Sequence, residues 1–312
     1  MKAIVEKASR PSWAAHDEAP RTTLVIPCYN EEARLRPDAF AAFFQTCPAH
    51  LTFVDDGSKD RTVEVLQTIC ARFPQCASLI QLPQNAGKAE AVRQGVLAAL
   101  DAGASFVGFW DADLATPLDS FHLFLAEFDN RPDLEMVMGA RVSMLGRAIE
   151  RRPVRHYAGR CFATIVSMIL ELPVYDTQCG AKLFRNTPTV RSAFDTPFLS
   201  HWIFDVEVLA RLTLQLLRTG GPSPDLCIRE LPLPAWKDVE GSKIGPRDAG
   251  RVAADLWRIR RWLERAKAAV RAHSRADQLR RTIDSRAPAF EQVGMNTAPR
   301  PGTTDSLPHR SS

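Results

Sequence analysis

Short apolar runs, each closed by a polar loop and followed by a stretch of helical period, fill the first half of the chain. Thr22 to Pro27 reads as a strand and Glu31 to Cys47 as a helix. Leu51 to Val54 is a second strand, ending at Asp55-Asp56-Gly57-Ser58, with Asp60 placed to cap a helix that runs to Arg72. Leu79 to Leu82, the run ending at Trp110, and Glu135 to Met138 supply three more strands. Helices through Leu100 and from about Leu118 to Phe128 separate them. Alternation at this spacing predicts an α/β fold with a doubly wound, mostly parallel sheet and helices on both faces.

The second half is less regular. A helix from about Arg155 to Leu170, a short strand near Lys182 to Phe184, a helix from about Asp205 to Leu217 and a late strand over Cys227 to Leu233 are expected. Arg247 to Lys267 reads as one more helix, and the polar chain past about Ser274 is expected to be disordered. This divides the chain into a tail over 1–20, a domain over 21–250, a basic amphipathic helix over 251–273 and a second tail over 274–312.

Composition narrows the class. Seven Cys with no Cys-x-x-Cys pair argue against a disulfide framework or zinc knuckle and favour a reduced, cytoplasmic setting. The first 20 residues lack the continuous apolar segment of a signal peptide, and no run of 18 apolar residues is long enough to span a bilayer. The net charge of +4 is uneven: 13 Lys/Arg against 6 Asp/Glu from Arg251 onward gives +7, leaving −3 on residues 1–250. A nucleic-acid partner is therefore not expected. A basic appendage on a slightly acidic domain favours an anionic surface as partner.

The densest candidate chemistry is Asp111-Ala112-Asp113, after the apolar run Phe106 to Trp110. In a strand, residues i and i+2 point the same way, so if that run is a strand its end presents two carboxylates together where open α/β sheets bind ligands. Hard oxygen donors there suit Mg²⁺ or Mn²⁺ shared with a diphosphate. Three further polar loops also end predicted strands: Pro27-Cys28-Tyr29-Asn30-Glu31, Asp55-Asp56-Gly57-Ser58 and Asn85-Ala86-Gly87-Lys88. Each alone has a turn or cap explanation, but in a parallel sheet all four converge on one edge. Tyr29 could then stack on a base and Asp56 accept from a base or ribose. Gly87-Lys88 lacks the Ser/Thr of a phosphate loop, and no Gly-x-Ser-x-Gly elbow is present.

The blocks Val25 to Glu32, Val54 to Asp60 and Asp111 to Asp113 resemble the family 2 glycosyltransferases of the GT-A fold. Gly139-Ala140-Arg141, Asp176 to Phe184, Phe204 to Glu207 and Glu240 to Lys243 resemble the subgroup acting on polyprenyl phosphates, most of all the dolichyl-phosphate β-glucosyltransferases. The resemblance spans roughly residues 21 to 250. It implies inverting transfer of a hexose, with UDP-glucose as the expected donor and a polyprenyl phosphate as acceptor. It also implies that Pro27, Tyr29, Glu31, Asp56, Asp111 and Ala112 hold the nucleotide sugar. Asp111 and Asp113 would hold the metal, and Arg141, Arg155 and Lys243 would contact phosphates or close over the site. Ala115 replaces the Gln of the related mannose synthases, which weakens the case for GDP-mannose.

A phosphomonoester is largely dianionic at neutral pH, so such an acceptor needs little general-base help. A sugar or glycan hydroxyl would need a base, and Asp205 and Glu207 are the candidates. A non-catalytic nucleotide-sugar-binding module is the remaining alternative. Val252, Leu256, Ile259 and Leu263 form an apolar stripe on the C-terminal helix, with Trp257 and Trp262 nearby and arginines on the other faces. That helix either lies on the inner face of a membrane as a peripheral contact or packs on the domain.

Overall fold

The computed structural model describes residues 21–46, 49–150, 153–238 and 249–286. Strands β1 (Thr22–Cys28), β2 (His50–Asp55), β3 (Ala77–Gln81), β4 (Phe106–Phe109), β5 (Met136–Ala140), β7 (Lys182–Arg185) and β8 (Ile228–Pro232) form one sheet in the order β3-β2-β1-β4-β7-β5-β8. All neighbours are parallel except β7, which runs antiparallel to both β4 and β5. A separate two-stranded parallel sheet pairs β6 (Ala148–Glu150) with β9 (Ala235–Lys237). The α/β, mostly parallel architecture expected from the sequence is the one observed.

Alternation along β1 sorts the core. Val25 faces one cluster, with α3 (Lys88–Asp101), α5 (Pro153–Leu170), α6 (Pro188–Phe194) and α7 (Phe204–Thr219). Leu24 and Ile26 face the other, with α1 (Pro37–Thr46), α2 (Thr62–Arg72) and α4 (Phe121–Asn130). Gly108 lets β7 approach β4, since a Cβ there would lie 2.3 Å from the Lys182 carbonyl oxygen.

Three expectations need correction. The helix placed over Glu31 to Cys47 begins only at Pro37, because Asn30 adopts a left-handed φ of 51° and the Glu31 and Glu32 amides are bound by the next loop. Strand β4 stops at Phe109, and Asp111 to Leu114 form a turn closed by a Leu114 N–H to Asp111 carbonyl bond, with Leu114 at φ 52°. Asp111 and Asp113 are therefore brought together by a turn and not by strand alternation. Finally, α8 (Pro224–Cys227) precedes β8, and the C-terminal helix α9 runs from Ala249 to Arg286, past the point where a disordered tail was expected.

The stripe on α9 packs onto the domain. Leu256, Ile259 and Leu263 are buried in the same core cluster as residues of α3, α5 and α7, and residues up to Val270 belong to the compact unit. Asp255 accepts from Ser200, and Lys267 pairs with Glu171 at 2.9 Å. The boundary drawn at residue 250 cuts through this core. The two tails over 1–20 and 287–312 lie outside the described residues.

Candidate active site

Strands β1, β2 and β4 are parallel, so the loops after them meet at one edge, and the start of α3 joins them. Pro27 lies next to last in β1: its register partner is Val54 on β2, with Cys28 paired to Asp55 after it, while pairing to β4 has already ended with Val25. Tyr29 and Glu31 follow at the mouth, Tyr29 half-buried and Glu31 buried. The Tyr29–Glu32 loop is laced to the loop after β2. The Asn30 N–H donates to Ser58 Oγ (3.0 Å), the Lys59 N–H to Asn30 Oδ1 (2.8 Å) and the Glu31 N–H to Thr62 Oγ1 (2.8 Å). Asp60 accepts from the Glu32 N–H and from Thr62.

Asp56 is held by the loop after β3. Its two carboxylate oxygens accept the Ala86 N–H (2.7 Å) and the Gly87 N–H (2.9 Å). Burial outweighs these bonds and raises its pKa above the ordinary carboxylate value. Asp56 thus fixes the Asn85–Lys88 loop, while the other lone pairs of its oxygens remain chemically able to accept from a ligand.

Asp111 lies against Gly180, where an added Cβ would sit 1.8 Å from Asp111 Oδ2. Lys88 Nζ, from the first residue of α3, bonds Asp111 Oδ1 at 2.5 Å. Desolvation alone would raise the Asp111 pKa, but Lys88, followed by Lys182 and Arg141, outweighs it and lowers the value. Desolvation likewise works against the Lys88 charge, and Asp111, Asp205 and Asp113 more than restore it. Burial, and next the Asp111 charge, push Asp113 upward. Asp113 Oδ1 accepts the Ala115 N–H, and its Oδ2 lies 3.9 Å from Arg34, which also pairs with Glu31. Ala112 between them is buried and packs in the core.

Two neighbouring carboxylates that repel each other, flanked by cationic side chains, have the donor chemistry of a site for a divalent cation plus a diphosphate. No group of three or more His, Cys, Asp or Glu able to hold a metal occurs among the described residues, so a cation there would take its further oxygens from ligand or water.

The remaining expected residues are placed unevenly. Arg141 grips Asp176 with its fork, Nε to Oδ2 at 2.6 Å and Nη2 to Oδ1 at 2.8 Å, and lies over the Trp236 ring. Burial opposes its charge, but Asp176 more than compensates and raises its pKa. It is close enough to lower the pKa of Asp111. Arg155 lies in the first turn of α5, but its side chain is outside the described residues, as is Lys243 altogether. Asp205, at the start of α7, pairs at 2.5 Å with Lys182, whose side chain is fully buried. Glu207 is fully buried, pairs with Arg211 and accepts the Leu199 N–H. Both candidate bases are thus already engaged, and Glu207 serves the fold.

Lys88 lies in one of the four loops that the sequence brings to the site edge and Gly180 in a block that carries the family resemblance, but the sequence gives no individual role to either, nor to Arg34. Lys88 carries a partial signal, a Gly-Lys pair at a strand end before a helix, which the absence of a following Ser/Thr obscures.

Residues 23–191 match the family described as glycosyl transferase family 2. The chain belongs to this family. It is 30% identical to the dolichyl-phosphate beta-glucosyltransferase of Dictyostelium discoideum over 76% of this chain and 73% of that protein. It is also 30% identical to the corresponding protein of Saccharomyces cerevisiae, over 78% and 75%. Among solved structures, glucosyl-3-phosphoglycerate synthase from Mycobacterium tuberculosis, in complex with Mn²⁺, UDP and phosphoglyceric acid, superposes with a TM-score of 0.53. That match has 18% identity and covers 77% of this chain and 78% of the other, so it speaks to the GT-A fold alone.

Proposed function

We propose that this family 2 glycosyltransferase is metal-dependent and moves glucose, with inversion, from UDP-glucose to a polyprenyl phosphate of the dolichyl type. The observation that carries the reading is the convergence of Asp56, Lys88, Asp111 and Asp113 at one sheet edge, in a chain 30% identical to two dolichyl-phosphate beta-glucosyltransferases. The Mn²⁺ and UDP held by the mycobacterial structure support a divalent cation and a uridine nucleotide by analogy of fold.

In this mechanism Pro27, Tyr29, Glu31 and Asp56 line the nucleotide end. Asp111 and Asp113 would hold Mg²⁺ or Mn²⁺, which when bound offsets charge on the departing diphosphate. Lys88 adds a fixed positive charge beside it and can follow the diphosphate oxygens as they gain charge. Arg141, Arg155 and Lys243 receive the acceptor phosphate. The Asp176 pairing occupies Nε and one Nη2 hydrogen of Arg141 and leaves its outer donors to an incoming anion. A phosphate dianion attacks the anomeric carbon directly, so no base is required. The engagement of Asp205 by Lys182 and of Glu207 by Arg211 favours this acceptor over a hydroxyl.

No helix among the described residues is long and apolar enough to cross a membrane. The proposed meeting with the acceptor is a peripheral contact on the cytoplasmic face of the membrane. A panel of nucleotide sugars against one polyprenyl phosphate, with and without EDTA, tests the reading. Glucosyl transfer confined to UDP-glucose and lost on chelation is expected. Equal transfer in EDTA would refute the metal assignment, and transfer to hydroxyl acceptors alone would refute the acceptor.

A further inference from the structure

The apolar stripe of α9 is spent inside the domain, yet its outer flank is not an ordinary solvated surface. Leu199, Trp257, Arg258, Arg261, Trp262 and Arg265 line an open groove of about 680 Å³. The three arginines fall at i, i+3 and i+7 and so share one flank of the helix. Trp257 is 58% exposed and Leu199 42% exposed, and the Arg261 guanidinium lies 5.1 Å from the centroid of the Trp257 ring.

We propose that this groove docks the protein on an anionic phospholipid bilayer. Arg258, Arg261 and Arg265 meet headgroup phosphates, while Trp257 and Leu199 enter the interface. The proposal rests on the reading of the acceptor as a polyprenyl phosphate, a molecule that resides in a membrane. Guanidinium groups are weakly hydrated and match phosphate geometry, and an indole ring is at home where one side is apolar and the other wet. A bilayer satisfies both halves of the groove at once. An extended nucleic acid fits poorly, because residues 1–250 carry −3.

The groove also adjoins the donor site through one short segment. Ser200, next to Leu199, donates to Asp255 at 2.7 Å and accepts the Ile203 N–H at the start of α7. His201 follows, with its Nδ1 3.0 Å from where a Cβ on Gly87 would stand. The docking surface and the loop that abuts the nucleotide end therefore belong to the same stretch of chain.

The test is co-sedimentation of the full chain with vesicles of phosphatidylcholine alone or with added phosphatidylglycerol, at low and high salt. Binding to the anionic vesicles that weakens with salt is expected. R261Q/R265Q should weaken it about 25-fold, at about fivefold per arginine, whereas R261K/R265K should stay within about threefold. W257A should weaken binding at both salt concentrations. Transfer to a short-chain polyprenyl phosphate in detergent should stay at the wild-type rate in all three variants, which shows that they fold. Equal binding to neutral vesicles, or no effect of R261Q/R265Q, overturns the proposal. Capture by polyglutamate as tight as by vesicles, with W257A silent, assigns the groove to an acidic protein and also overturns it. Vesicle binding without any transfer to polyprenyl phosphate leaves the docking surface standing and removes the acceptor reading instead.

Discussion

Gly180→Ala should disable the site while sparing the fold. The added Cβ would stand 1.8 Å from Asp111 Oδ2, 2.2 Å from Cγ and 2.6 Å from Oδ1. Ordinary C···O contacts lie near ~3.3 Å, so the whole carboxylate must retreat by more than ~1 Å. Misplacement of a reacting or positioning group by about 1 Å costs on the order of 10²-fold in rate. Gly180 is outside the left-handed region, so the backbone itself accepts Ala. Pushing Asp111 off its rotamer costs ~0.5–1.5 kcal/mol. Reduced freedom of the unfolded chain returns ~0.4–1 kcal/mol. The two nearly cancel, and Tm should move by no more than about 3 °C. The assay pairs kcat/KM for transfer with a thermal melt and a metal titration of activity. A loss of about 100-fold, weaker apparent metal affinity and an almost unchanged Tm are expected. Activity within threefold of wild type would refute the placement of Asp111, and a Tm drop beyond about 10 °C would show that the loss is one of folding.

Lys88→Ala should reduce kcat/KM by about 10- to 150-fold, the equivalent of ~1.5–3 kcal/mol for removing one charge-assisted hydrogen bond from the transition state. The Lys88 and Asp111 side chains are 40% and 34% exposed, so solvent screening makes the stability change small, and an unchanged rate would remove Lys88 from the site. Asp113→Asn should abolish metal-stimulated transfer. Because the folded-state pKa of Asp113 is raised, the folded protein binds the extra proton and Asp113 costs stability as pH climbs above the ordinary carboxylate value. The Asn variant should accordingly melt no lower than wild type at pH 7, and a marked fall would contradict that sign. His50 is buried with its pKa lowered to about 4, so folding is favoured above the ordinary value of 6.5 and loses that support as pH falls toward 4. The swing is about 3 kcal/mol, and His50→Gln should flatten the melting profile over that range.

The sequence disclosed what is local. Period-two and period-3.6 patterns placed the central strands and their following helices, and the polar loops at strand ends placed Asp56, Asp111 and Asp113. What depends on pairing across the chain was hidden. Nothing near Lys182 says that β7 inserts antiparallel between β4 and β5, or that β6 finds β9. The false start of the first helix came from the polar loop, whose conformation is set by partners about 30 residues on. Arg34 and Gly180 matter only through their proximity to Glu31, Asp113 and Asp111, which no spacing rule reveals. The α9 stripe was visible, but an amphipathic pattern is silent on whether protein or lipid covers it.

The lacing between the Tyr29–Glu32 and Ser58–Thr62 loops bears on how this scaffold can be re-engineered. Asn30 both gives its N–H to Ser58 and accepts from Lys59, while Glu32 pairs with Arg61. A donor-preference graft that imported one loop from a relative would strand the polar groups of the other. These two segments form a single exchangeable cassette, and loop libraries should vary them together.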